Sequence, residues 1–272
     1  MAGDTPERKG ARHTDPVVTG HMSHGPWGSR GPVRGTVLNV STTSLVKGAR
    51  ASRSTIALKL LMAISGIIFI GFVLVHMYGN LKAFAGHDAF NEYAHHLRVF
   101  GEPMLPHEGL LWIIRVVLIG SLVVHVYAAV ALWRRAQRAR GVPYVVKRHK
   151  GANFASRLMR WGGLTLLLFI IWHLLNFTVG KVNVTGGPTN DPYNLMVDTF
   201  DTWWLTLLYL VAMLALGAHL PHGTWSAAQT LGLTGTAAAR TRWKRIAFTL
   251  ALIISVGFSL VPIFVLAGVI SK

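Results

Sequence analysis

Four histidines, His76, His125, His173 and His219, each lie inside a separate apolar stretch of the chain. A titratable ring in hydrocarbon is costly unless something binds it, so intramembrane histidines point to a functional site before they point to packing. A neutral imidazole nitrogen is also a common metal ligand. The chain contains no cysteine, which excludes disulfides, thiolate nucleophiles and iron–sulfur ligation by its own residues. Redox chemistry here must use a cofactor held by other ligands.

The elements that carry these residues are membrane spans. Five stretches approach the roughly 20 apolar residues needed to cross a bilayer, near 57–79, 110–133, 160–180, 203–221 and 246–270. Mean hydropathy is +0.43 although the formal net charge is +17, so the charge sits outside the apolar segments. The expected fold class is an all-α integral membrane protein of five transmembrane helices with a four-helix core around the histidines. Residues 1–55 read as an irregular cytoplasmic tail in which His13, His21 and His24 are solvated, and 56–272 as the membrane domain. No room is left for a sizeable soluble catalytic domain, and no residue is assigned as catalytic.

Charge asymmetry orients the spans. The tail through Lys59 holds nine Lys or Arg, Arg134 to Arg160 another nine, and Arg240 to Arg245 four. On the other side stand Lys82, Arg98, Lys181 and Lys272, with Arg115 near the start of the second span. The positive-inside rule then puts the N-terminus in the cytoplasm and the C-terminus outside. Topology alone explains the basic excess, so no nucleic-acid partner is expected. An outer segment, 80–109, is expected to lie on the surface as a short amphipathic helix. A second, 181–202, reads as a loop with turn signals at Gly186-Gly187-Pro188 and Asp191-Pro192.

Orientation converts sequence position into depth at about 1.5 Å per residue. His76 falls near the outer end of span one and His173 in the outer half of span three. His125 and His219 fall near the inner ends of spans two and four. Two tiers of two result, and each supplies the pair of opposed axial imidazoles that a haem iron takes. Two haems stacked across the bilayer are therefore expected, with His76 and His173 on the outer iron and His125 and His219 on the inner one. Small residues on the same faces, Ser121 and Ala215 four before their histidine and Ser65 and Gly162 eleven before, would leave room for a flat macrocycle. Pro221 and Gly223 are expected to end span four, placing His222 at the interface and leaving His219 as the ligand. Pro262 is then the one proline well inside a span.

With these residues laid out, the segment from about 55 to 270 resembles the five-helix, di-haem cytochrome b subunit (b558 type) of bacterial succinate dehydrogenases and fumarate reductases. The carriers are His76 followed by Ala89-Phe90-Asn91 and Ala94-His95, then Val124-His125-Val126-Tyr127, Trp172-His173, and His219 followed by Gly223 and Trp225-Ser226. The resemblance implies a subunit of succinate dehydrogenase in the bacterial cytoplasmic membrane, with two haem b and a quinone, menaquinone being the one expected. It implies flavoprotein and iron–sulfur partner subunits, which perform the succinate chemistry, and leaves open whether the complex forms a higher-order oligomer. It would place the quinone near the outer haem with Glu92, His95, Trp112 and Arg115, an inner site near His222, Trp225 and Ser226 being the competitor. Arg157 and Arg160 could pair with propionates of the inner haem, or simply flank the membrane.

Two other readings stay open at this point. One is a di-haem cytochrome b anchor of another quinone-linked dehydrogenase. The other is a transporter whose histidines relay protons, against which the chain shows no internal repeat.

Overall fold

The computed structural model describes residues 54–139, 150–179, 182–184, 187 and 189–272. The expected tail up to residue 53, with His13, His21 and His24, lies outside the described residues, as does the Gly186 and Pro188 turn signal. The described residues form α1 (Thr55–Leu81), α2 (His87–Val99), α3 (Gly109–Arg138), α4 (Lys150–Leu174), α5 (Pro192–Asp201), α6 (Trp203–Thr230) and α7 (Ala237–Leu266), with no strand among them. Helix α4 runs on through a π-helical turn, Leu175–Val179. Five helices, α1, α3, α4, α6 and α7, are long and apolar enough to cross a membrane. The protein is an all-α integral membrane protein.

Local chemistry sets the helix ends. Ser54 and Thr236 cap α1 and α7 by accepting hydrogen bonds from the backbone N–H of Ala57 (3.0 Å) and Ala239 (3.1 Å). Each cap satisfies one of the amide groups a helix start leaves without a partner. Gly232, at φ +77°, closes α6 in a left-handed turn that lets the Leu233 N–H reach the Ala228 carbonyl at 2.9 Å. Six residues then link α6 to α7, so the two lie antiparallel and pack along their lengths.

Side chains such as Val116, Leu214 and Phe248 are 65%, 75% and 65% exposed, which suits a surface whose solvent is lipid. Helix–helix contact relies instead on small residues that let backbones approach. Gly162 of α4 lies against the Ala215 carbonyl of α6. A Cβ on Gly217 would come within 2.9 Å of Ser255 Oγ on α7. Helix α6 packs on α1, α4 and α7, and α1 also packs on α3.

Two expectations are corrected. Span four does not stop at Pro221. Helix α6 continues to Thr230 with Pro221 inside it. A proline ring clashes with the carbonyl four residues back and removes one amide, but burial of Leu220 before it and of Thr224 and Ala228 after it holds the helix together. His222 therefore sits on a helix, exposed, rather than beyond one. Pro262 is accordingly one of two prolines inside spans.

The second outer loop is also not all loop. Residues 192–201 form α5, whose Tyr193, Leu195, Met196, Val197, Thr199 and Phe200 are buried. Asp191 caps it, accepting from the Asn194 backbone N–H at 3.0 Å, and Pro192 occupies the first helical position, where its missing N–H costs nothing. The expected surface helix is α2, which contains no buried residue.

Helices α2 and α5 are tied by polar contacts. Asn91 donates to Asp191 Oδ1 at 2.9 Å and accepts from the Tyr193 N–H at 3.2 Å, while His87 Nε2 meets Asp191 Oδ2 at 2.7 Å and His87 Nδ1 meets Asp88 Oδ1 at 2.9 Å. The Asp88 hydrogen bond, then that of Asp191, raises the His87 pKa above its ordinary value. Desolvation pushes the Asp191 carboxyl up, but hydrogen bonds from Asn194, Asn91 and His87 outweigh it and hold the group below its ordinary value.

The signs define a window. The His87 contribution is complete at low pH and is lost as pH rises through its raised pKa. The Asp191 contribution is complete at neutral pH and is lost as pH falls through its depressed one. Protection of the 192–201 amides, taken relative to their intrinsic pH-dependent exchange rates, is therefore expected to be greatest between these two values and to fall on the alkaline side. Asp191→Ala should remove the cap, at about 1 kcal/mol, and flatten the profile. An unchanged profile in that variant would contradict the assignment.

Candidate functional site

The spans bring the four histidines together in two pairs. His76 of α1 and His173 of α4 have ring centroids 5.7 Å apart, and His125 of α3 and His219 of α6 have centroids 6.4 Å apart. With metal–imidazole nitrogen bonds of about 2 Å on each side, two opposed ligands place their centroids roughly 6 Å apart. Both pairs match that spacing.

The pairs occupy different levels of the bundle. The His125 ring lies 3.6 Å from where a Cβ on Gly66 of α1 would sit, and the His219 ring 3.6 Å from that of Gly163 on α4. Gly66 and Gly163 each precede the other pair's histidine on the same helix by ten residues, which is roughly 15 Å along a helix axis. Helices α1 and α4 thus contribute to both levels, lending an imidazole to one and a bare backbone to the other.

Second contacts orient individual rings. Ser65 Oγ lies 3.0 Å from His125 Nδ1 and donates to the Leu61 carbonyl at 2.7 Å, so the serine can accept from a protonated Nδ1 and leave Nε2 for a metal. Tyr209 Oη lies 3.4 Å from His173 Nδ1. The Phe72 ring stacks on His76 at 5.2 Å, inclined by 12°. His219 Nδ1, Trp172 Nε1 and Thr224 Oγ1 are buried without a hydrogen-bond partner among the described residues.

The donor set suits a porphyrin iron. His76 with His173, and His125 with His219, would each hold one iron between them, the macrocycle supplying its remaining ligands. Among the described residues no three His, Asp or Glu side chains gather into a cage for a bare ion. The helices that bear each pair, α1 with α4 and α3 with α6, are not those whose backbones pack closely, which are α1 with α3, α1 with α6 and α4 with α6.

The small residues make contacts that spacing along one helix does not name. Ser65 meets His125 on the neighbouring helix. Gly162 and Ala215 bring α4 against α6. Ser121 is buried on α3. The glycines that face imidazoles are Gly66 and Gly163, which spacing along their own helix did not single out.

The outer polar set is only partly assembled. The Arg115 guanidinium lies over the Trp112 ring, 4.9 Å from its centroid, and Arg115 Nη1 reaches Glu108 Oε2 at 3.4 Å. Glu108 also takes Arg98 Nε at 3.4 Å. It holds a left-handed conformation, φ +60°, unusual for a residue other than glycine, at the start of α3. Glu92 and His95 are exposed on α2 and have no side-chain hydrogen bond or ion pair among the described residues. Glu108 was not expected from the sequence. Its proximity to two arginines depends on the turn before α3, which spacing does not reveal. At the opposite end, a cleft of about 350 Å³ lies between α1 and α6, lined by Ile56, Lys59, Ser226, Gln229 and Thr230. Arg157 and Arg160 are exposed.

No family model matches the chain, and no solved structure matches it. It is similar to a curated protein, the succinate dehydrogenase cytochrome b558 subunit of Bacillus subtilis (strain 168), at 29% identity over 203 residues, covering 74% of this chain and 90% of that one. That likeness supports the cytochrome b558 family.

Proposed function

We propose that this relative of the cytochrome b558 subunit is the haem b membrane anchor of a succinate:quinone oxidoreductase. The observation that carries the reading is the approach of four histidines from four spans in two pairs, one pair roughly 15 Å along the bundle from the other. His76 and His173 would hold the outer haem, and His125 and His219 the inner one. When bound, the haems supply one-electron centres at two depths, a path between an iron–sulfur partner subunit and a membrane quinone. The chain contributes by presenting neutral imidazoles, excluding water with apolar helices and orienting His125 and His173 through hydroxyl groups. Succinate oxidation belongs to a flavoprotein partner and the iron–sulfur clusters to another, since this chain has no cysteine to ligate them.

Orientation follows from charge: the basic connections on the Lys59 and Arg240 side face the cytoplasm, with the N-terminus inside and the C-terminus outside. The His125 level is then nearer the cytoplasmic partners.

For the quinone, menaquinone by family likeness, the outer set reduces to Trp112 and Arg115 side by side, with Glu92 and His95 apart from them on α2. A second reading has a specific observation behind it. The inner cleft is within the size range of small-molecule pockets, and Lys59, Ser226 and Gln229 offer hydrogen-bond donors to a quinone carbonyl. Arg115→Ala and Lys59→Ala separate the two: the variant that slows quinone reduction at unchanged haem content marks the site.

The deciding experiment is a reduced-minus-oxidised spectrum of the protein purified from membranes. Two b-type haems per chain are expected, together with co-purifying flavoprotein and cysteine-rich subunits. A haem-free chain would overturn the proposal and leave the proton-relay transporter. Haems with a different dehydrogenase partner would turn it into an anchor for another enzyme.

A further inference from the structure

Tyr209 of α6 has two polar neighbours in an otherwise aromatic setting. Its ring meets Phe169, Phe200 and Phe177 edge-to-face, with centroids at 4.9, 5.0 and 6.2 Å and planes near perpendicular. Three such contacts fix the ring, and the residue is only 5% exposed. The hydroxyl donates to Asn176 Oδ1 at 3.0 Å and lies 3.4 Å from His173 Nδ1.

Asn176 is fully buried in the π-helical turn after α4. Its amide donates to the Val182 carbonyl at 2.7 Å and approaches Thr199 Oγ1 of α5 at 3.4 Å, and Thr199 donates in turn to the Leu195 carbonyl at 2.7 Å. The network is therefore directional. Asn176 must present its oxygen to Tyr209, because its nitrogen is committed elsewhere. Tyr209 must spend its proton on Asn176, so its oxygen is left as an acceptor, and the group facing that acceptor is the Nδ1–H of His173.

From this arrangement we infer that Tyr209, held by Asn176, is a positioning residue for His173 that sets the redox poise of the outer haem; the inference rests on the haem reading above. An acceptor on Nδ1–H makes an imidazole a stronger electron donor and fixes which nitrogen is free. Because Tyr209 donates onward, its oxygen accepts better than an isolated phenol would. A stronger axial donor favours the oxidised iron. The two pairs are alike in plan: Ser65 does for His125 what Tyr209 does for His173, and each level has one hydroxyl-oriented imidazole.

The test is a redox titration of the full chain in membranes, followed optically and by low-spin EPR, for the wild type, Tyr209→Phe and Asn176→Ala. The haem signal that disappears in His173→Ala identifies the outer haem. Tyr209→Phe keeps the ring packing and removes only the acceptor. It should keep both haems and raise the outer potential, by about a tenfold change in the oxidised-to-reduced preference, roughly 59 mV for one electron, with the inner haem unmoved. Asn176→Ala should move it the same way by less, and carries the test by itself if Tyr209→Phe does not accumulate. Unchanged potentials, equal shifts at both haems, or loss of the outer haem in Tyr209→Phe would each overturn the inference while leaving the haem reading standing. A wild-type chain without haem would fail the haem reading first.

Discussion

On the proposed pairing, His173→Ala is expected to halve the haem content of the purified chain, the haem retained being the one that His125 and His219 would hold. The argument is geometric. His173 faces His76 at 5.7 Å between ring centroids, whereas His125 and His219 face each other next to Gly66 and Gly163, ten residues away along α1 and α4. Without the His173 imidazole only His76 would remain to hold the group at that level, because Phe169 and Phe177, which flank His173 with centroids at 5.7 and 5.4 Å, cannot supply a nitrogen. The second level loses no ligand. His125→Ala should give the complementary spectrum. Equal loss of both haems in a chain still folded by circular dichroism would show that the pairs are not independent, and the pairing would fall with it.

The rule that allowed the pairs to be read from sequence is a simple one. Helix rise turns residue number into depth, and charge bias supplies the direction of each span, so His76 and His173 had to share a level without any knowledge of their neighbours. The five spans were legible for a related reason: roughly 20 apolar residues in a row have few other uses.

What remained hidden depends on which neighbour a face meets. Ser65 shares a face with His76 by periodicity, but it bonds to His125 because α1 packs on α3, and periodicity does not name partners. Helix α5 escaped notice because ten residues are too short to span and because Asp191-Pro192 looks like a turn. The same dipeptide is an N-cap followed by a first-turn proline, and the apolar residues after it, Leu195, Met196, Val197 and Phe200, were the available signal. Pro221 read alone marks a helix end. The burial of Leu220, Thr224 and Ala228 around it decides otherwise.

Both misreadings bear on chemistry. The continuation of α6 past Pro221 keeps His219 in a regular helix, with its ring directed at His125, and puts Ser226 and Gln229 on the wall of the inner cleft. Helix α5 supplies Thr199 and Phe200 to the surroundings of Tyr209. A bundle of the four histidine-bearing spans alone would keep Tyr209 and Asn176 but lack Thr199, which meets the Asn176 amide at the far end of the polar chain.

Gly163 offers the reciprocal test, and its outcome depends on side-chain size. A Cβ there would stand 3.6 Å from His219 Cε1 and 3.9 Å from Nδ1, ordinary contact distances. Gly163→Ala should therefore retain both haems and even favour the helix, since alanine exceeds glycine in helix propensity by about 1 kcal/mol. Gly163→Leu has no such room, because atoms beyond Cβ must enter the space of the imidazole or of the group it binds, and overpacking of this kind costs about 1–3 kcal/mol. The expected result is loss of the inner haem with the outer one kept, the mirror image of His173→Ala, and the same series at Gly66 should act through His125. A leucine tolerated at both glycines with two haems still bound would mean that the His125–His219 level has free space where the structure places imidazole rings. A leucine that removed only the outer haem would invert the assignment of Gly66 and Gly163 to the inner level.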